Sequence, residues 1–177
     1  MKFRFFAYTA ILLTFAGLIS CQKAGTFLGI IVPVIPNENV NDFFQTHFSG
    51  YINPAYERFF GDNGQDNKCI MINSKEEFKE YISDSSIELP EIDFNLYTLI
   101  VGRYLMSNTT KYVITEQNIV IKRKKLELNM TIECADMRLT TVMMFYYWGV
   151  YPKLPSKSVH VNVDIHVNEN LRPNPYT

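Results

Sequence analysis

The chain has no apolar run long enough to cross a bilayer comfortably. Its longest, Phe5 to Leu18, is about the length of a signal-peptide core. Charge of one sign is also missing. With 17 basic and 18 acidic residues the net charge is −1, and nothing in that balance points to nucleic acid. Cysteine and histidine are scarce, at three each, which leaves little material for a metal centre or a Cys–His nucleophile. There is no Ser-His-Asp spacing, glycine-rich phosphate loop, His-x-x-x-His helix or paired-carboxylate signature, and no internal repeat. These absences argue against an enzyme, and no catalytic residue, metal or cofactor is expected. Aromatic residues are plentiful, which supports a folded domain rather than a disordered chain.

The start of the chain carries the sharpest signal. Met1-Lys2-Phe3-Arg4 is doubly positive, and the apolar run ends in Leu18-Ile19-Ser20-Cys21. This order resembles the lipobox of bacterial lipoproteins, here of Bacteroidetes type. The resemblance implies that residues 1–20 are a lipoprotein signal peptide. It further implies that Cys21 becomes an acylated, thioether-linked N-terminus carrying palmitate-like chains. Two or three such chains, each gaining ~0.8 kcal/mol per buried CH₂, hold a domain without a spanning helix. Gln22 stands where Asp would resemble an inner-membrane retention signal, so the outer membrane is expected. Lys23-Ala24-Gly25 lacks the acidic pair of the Bacteroidetes surface-export tag, which favours the periplasmic face. Removing residues 1–20 takes two basic residues and no acid, leaving 15 against 18 and a net charge of −3. The remaining 157 residues suffice for one domain with a real core.

Residues 21–40 read as the lipid attachment site and an apolar tether, broken by Pro33 and Pro36, that docks on the domain as an edge strand. Residues 41–168 read as a single α+β domain. Phe43, Phe44, His47 and Phe48 share one face of a short helix, and Asn53-Pro54 suits another helix start. "GDNGQDN" lacks the pattern of a calcium loop and is a turn. Cys69–Ile72 is a short buried strand. Ser74-Lys75-Glu76-Glu77 is a capping box before a helix with Phe78, Tyr81 and Ile82 on one face. "LYTLIVGRYLM" is a strand buried on both faces. Tyr112–Thr115 and Asn118–Lys122 flank a turn at Glu116-Gln117. "LELNMTIEC" puts Leu126, Leu128, Met130, Ile132 and Cys134 on one face. "LTTVMMFYYWGVY" reads as a central strand, and "SVHVNVDIHV" turns Val159, Val161, Val163, Ile165 and Val167 inward. Short connections favour antiparallel pairing. The expected fold is mainly antiparallel sheet, as a sandwich or partly open barrel, with one capped helix packed on it. Residues 169–177 are a flexible tail.

Ile72-Asn73-Ser74 with Glu76-Glu77-Phe78, Ile92-Asp93-Phe94 and Leu99-Ile100-Val101-Gly102 stand in an order that resembles the PrcB-like family of secreted bacterial proteins. The resemblance spans roughly residues 68–150. Thr110-Lys111-Tyr112 replaces the Gly-Gly-Tyr usual in that family. The resemblance implies a non-enzymatic accessory protein that works on a protein partner.

Three clusters are candidates for function. Tyr146, Tyr147, Trp148 and Tyr151 form an aromatic run. If exposed they would suit a protein or glycan contact; if both faces of their strand are covered they are core. Lys122–Lys125 could meet anionic headgroups, but the favoured reading is a hairpin turn. His160, Asn162, Asp164 and His166 share the outward face of the last strand, where the two histidines lie ~20 Å apart, too far to share one ion. With Cys21 spent on lipid, Cys69 and Cys134 form either a disulfide or two separate buried thiols. The function expected is a lipid-anchored envelope accessory or binding protein with a protein partner. A glycan- or small-ligand-binding lipoprotein comes second, an envelope hydrolase last.

Overall fold

The computed structural model describes residues 29–48, 67–82, 86–107, 112–123, 125–135, 142–155 and 158–171. Cys21 and its signal segment, the Asn53-Pro54 turn, most of "GDNGQDN" and residues 172–177 lie outside the described residues.

Among the described residues, seven strands and two α-helices follow in the order β1 (Ile30–Pro33), α1 (Glu38–Phe48), β2 (Lys68–Ile72), α2 (Lys75–Glu80), β3 (Tyr97–Ser107), β4 (Tyr112–Ile121), β5 (Leu126–Cys134), β6 (Val142–Pro152) and β7 (Val159–Val167). They build a three-layer α+β sandwich. A three-stranded sheet, β2-β3-β6, lies between the helices and a four-stranded sheet, β1-β4-β5-β7. β3 is the middle strand of the middle layer. Leu99 and Val101 pack under the helices, while Ile100 and Met106 pack between the sheets. Burial on both faces is why its sequence reads as one apolar run.

α2 is capped as its sequence predicts, with one shift. Ser74, in extended conformation, accepts a 3.0 Å bond from the Glu77 amide. The Glu77 carboxylate reaches back to the amide of Asn73, one residue before the cap. Phe78 and Ile82 then face the core. α1 starts earlier than its aromatic stripe suggests, because Asn37, just after Pro36, accepts from the Val40 amide and fixes the first turn.

The expected turn at Glu116-Gln117 is instead a β-bulge inside one continuous strand, β4. Register with β5 slips between Ile114 and Glu116, leaving one residue extra. A single inserted residue reverses which side chains face inward. Tyr112 and Ile114 point to the core before the bulge, and Gln117, Ile119 and Ile121 after it. That break in alternation mimics a turn.

β7 runs parallel to β5, where short connections had favoured antiparallel pairing. The chain leaves β5 for β6 in the other sheet and returns to β7. Two reversals restore the original direction. β6 lies at a sheet edge rather than at the centre, with β3 on one side and, on the other, a bridge from Ile35, whose amide donates to the Val150 carbonyl at 2.7 Å. The tether is therefore part of the fold from Ile30 onward. β1 forms the edge of the four-stranded sheet beside β4, and Ile35 ties the adjoining edge of the three-stranded sheet. At the other end the expected tail begins with a short 3-10 turn, Glu169–Leu171.

Candidate functional site

The aromatic run is core, not surface. Successive residues of β6 point to opposite faces, and both faces are covered. Tyr146 and Trp148 face the helices, where Trp148 stacks on Phe44 at 5.3 Å and donates from Nε1 to Asn41. Tyr147 and Tyr151 lie between the sheets and are fully buried. Tyr147 donates its hydroxyl to the Lys68 carbonyl, and Tyr151 accepts from Gln117 Nε2 at 2.8 Å. Burial raises the phenol pKa of both well above the usual range, so both stay neutral. Trp148 alone of the four keeps partial exposure, so the run offers no aromatic platform to a sugar.

Cys69 and Cys134 are free thiols in the structure, which corrects the candidate disulfide. β2 and β5 belong to different sheets and are not neighbours. Both sulfurs join the packing between the sheets. Burial pushes the Cys69 thiol up to about 11, partly offset by a hydrogen bond with Tyr147. That is the opposite of what a nucleophile needs.

Lys122 and Lys125 of the basic run close the β4–β5 hairpin, the Lys122 amide donating to the Lys125 carbonyl, while Lys124 lies outside the described residues. Lys122 and Lys125 both fold onto Glu127, at 2.5 and 2.7 Å. Hydrogen bonds from these two ammonium groups hold the Glu127 carboxyl down at about 2. Lys122 and Lys125 thus have an internal partner in Glu127.

The outward face of the four-stranded sheet carries a row of linked amides. Asn162 on β7 donates to Asn129 on β5 at 2.9 Å, and Asn129 donates to Asn118 on β4 at 3.4 Å, so three amides form a ladder across three strands. Beside it, exposed His166 and Asp164 approach within 3.2 Å. Among the described residues, no group of three or more His, Cys, Asp or Glu is placed to hold a metal. Among the described residues, no helix is long and apolar enough to cross a membrane.

Two features were not legible in the sequence. Arg103, on β3 opposite Tyr146, is buried at 2% exposure on the helix side, where its charge counteracts the rise that burial imposes on the Tyr146 phenol. The second is the edge of β7. This nine-residue strand has β5 on one side and, among the described residues, no strand on the other. Its inward residues bury less and less along its length. Val159, Val161 and Val163 are half-buried, whereas Ile165 is 42% and Val167 60% exposed, against the expectation that all five face the core. A cleft of about 280 Å³ lies between this strand and β2, lined by Lys68, Cys69, Tyr147, Val159 and Val161. A long strand with an open side and exposed aliphatic residues is a template for pairing with another chain. It is a long edge suited to recognition.

No protein-family model, curated protein or solved structure matches the chain.

Proposed function

We propose that the protein is a lipid-anchored binding domain of the bacterial envelope. It acts without catalysis, by adding an extended segment of a protein partner to the free edge of β7. The observation that carries this reading is the nine-residue edge, unpaired among the described residues, with its exposed Ile165 and Val167. Main-chain bonds along such an edge supply affinity, and alternate side chains supply selectivity. The lipobox-like Leu18-Ile19-Ser20-Cys21 supports the anchor, to the periplasmic face of the outer membrane. Eight residues lie between Cys21 and the start of β1 at Ile30, nine Cα steps with a reach of about 30 Å when fully extended. The sandwich is thereby held close to the membrane. The resemblance to PrcB-like accessory proteins supports a partner-directed role. Its Ile72-Asn73-Ser74 and Leu99–Gly102 stretches are the β2–α2 junction and the buried half of β3, which build the scaffold rather than a reactive site.

A photo-crosslinking residue in place of Ile165, in the full-length protein in its native envelope, tests the reading. A discrete protein adduct is expected, with none from the same residue at Glu76 in α2. Labelling of lipid alone, or equal adducts at both positions, overturns it.

A further inference from the structure

The backbone groups that β7 presents at its free edge follow from its bonds to β5. The Leu126 amide donates to the Ser158 carbonyl, and the Asn168 amide donates to the Cys134 carbonyl. In a parallel ladder the residues that bond a given neighbour alternate, so even-numbered positions of β7 serve β5. The amides and carbonyls of Val159, Val161, Val163, Ile165 and Val167 therefore point away from the sheet.

Which strand fits depends on what that edge carries. An antiparallel partner must offer its own outward-pointing groups to these odd positions. A second β7 does so, and its side chains select the register. With Asn162 on a two-fold axis, Asn162 faces its own counterpart and His160 faces Asp164 of the other copy on both sides of the axis. Val161 then lies opposite Val163, and exposed Ile165 lies opposite Val159. With Val163 on the axis instead, His160 meets His166 and the carboxylate of Asp164 meets an amide. Charge complementarity favours the first register.

We propose that the strand added to β7 is β7 of a second copy of this chain, antiparallel and two-fold symmetric about Asn162. The inference rests on the reading of β7 as a strand-accepting edge. It joins two four-stranded sheets into one of eight strands, with a self-complementary interface of the kind that closes on itself. The three-rung amide ladder through Asn118, Asn129 and Asn162 becomes six rungs. Asn162 is a non-hydrogen-bonded position at the junction, where opposed Cα atoms approach to ~4.5 Å. That spacing lies within the range a disulfide can span.

The test uses the full-length protein in its native envelope under mild oxidation. Asn162→Cys is expected to give a covalent dimer on a non-reducing gel. The parent chain, whose Cys69 and Cys134 point between the sheets, is expected to give none, and Val163→Cys much less. Dimer from Val163→Cys but not from Asn162→Cys overturns the register. Light scattering of the detergent-solubilised protein is expected to give the mass of two chains, falling to one in the exposed-site variant Ile165→Lys. A single-chain mass for the parent, with no Asn162→Cys dimer, overturns the second copy. If the crosslinker at position 165 still captures another protein in that case, the strand-accepting edge stands. If it captures none, both readings fall.

Discussion

Gln117 Nε2 lies 2.8 Å from Tyr151 Oη, a hydrogen bond that crosses from the four-stranded sheet to the three-stranded one. The same amide nitrogen lies 3.2 Å from the Trp148 carbonyl. Gly149 makes this contact geometrically feasible, since a Cβ there would stand 2.9 Å from that nitrogen. The bulge in β4 is what turns Gln117 inward. Replacing it with Leu leaves the Tyr151 hydroxyl and the Trp148 carbonyl without this donor. The expected loss is about 1–3 kcal/mol, read as a lower urea midpoint. Tyr151→Phe, which leaves Gln117 bonded to Trp148, is expected to cost less. Equal midpoints for Gln117→Leu and the parent would show that water replaces the bond.

Gly102 is predicted to be intolerant of any side chain. It pairs with Tyr147 across β3 and β6, and an added Cβ would stand 2.0 Å from the phenol ring. The ring cannot swing away without breaking its bond to the Lys68 carbonyl. Gly102→Ala is expected to destabilise by about 1–3 kcal/mol, the usual range for overpacking. Thermal unfolding measures it, and an unchanged midpoint would mean that the ring has room to move.

Glu127 predicts an acid limb in the stability profile. Its carboxyl is depressed from an ordinary 4.5 to about 2 by Lys122 and Lys125. An acid whose folded pKa is depressed stabilises the fold above its unfolded value, and that contribution is lost as pH falls through the folded value. The difference in denaturant midpoint between the parent and Glu127→Gln should therefore be constant above pH ~5 and shrink between pH ~4.5 and ~2. A difference that does not change across that window would show that the ion pairs contribute nothing to folding.

Cys69 and Cys134 are predicted to count as two free thiols in the denatured, non-reduced protein. In the folded protein Cys69, pushed up to about 11 and packed between the sheets, should resist alkylation at pH 8. A disulfide-linked peptide joining the two would contradict the separate thiols of the structure. Fast labelling of Cys69 would contradict its burial.

The anchor is tested at the chain's start. Mass spectrometry of the mature N-terminus is expected to find acylated Cys21, and Cys21→Ser should leave an unprocessed or soluble species. An unacylated N-terminus at another residue would remove the membrane from the proposed function.

What the sequence disclosed was local or periodic. The Ser74–Glu77 cap lies within one turn, and the five inward residues of β5 repeat with period two, so both were readable from adjacent positions. The bulge at Ile114–Glu116 was misread as a turn because one extra residue and a two-residue turn break alternation in the same way. The parallel pairing of β7 and the edge placement of β6 depend on which sheet each strand joins, a choice made by contacts far apart in the chain. The same limit applies to the candidate site. Tyr146 to Tyr151 show their aromatic character to any reader, but only the layers on both sides decide that they are core. The valine alternation of β7 was plain; that its outer side has no neighbouring strand among the described residues was not.

β1 and β7 are the two opposite margins of one sheet, and this gives the molecule a mechanical axis. A pull on the N-terminal tether directed along β1 acts in shear. The four β1–β4 residue pairs resist it together, with the Ile35–Val150 bridge next in line, instead of parting one by one like a zip. Load entering at β1 reaches β7 through three strand-to-strand joints, about 14 Å of hydrogen-bonded sheet. A tether and a docked strand at these margins would tension the sheet itself and spare the helices on the far layer. In the proposed arrangement the sheet would thus be a short tie between the lipid anchor and whatever β7 holds.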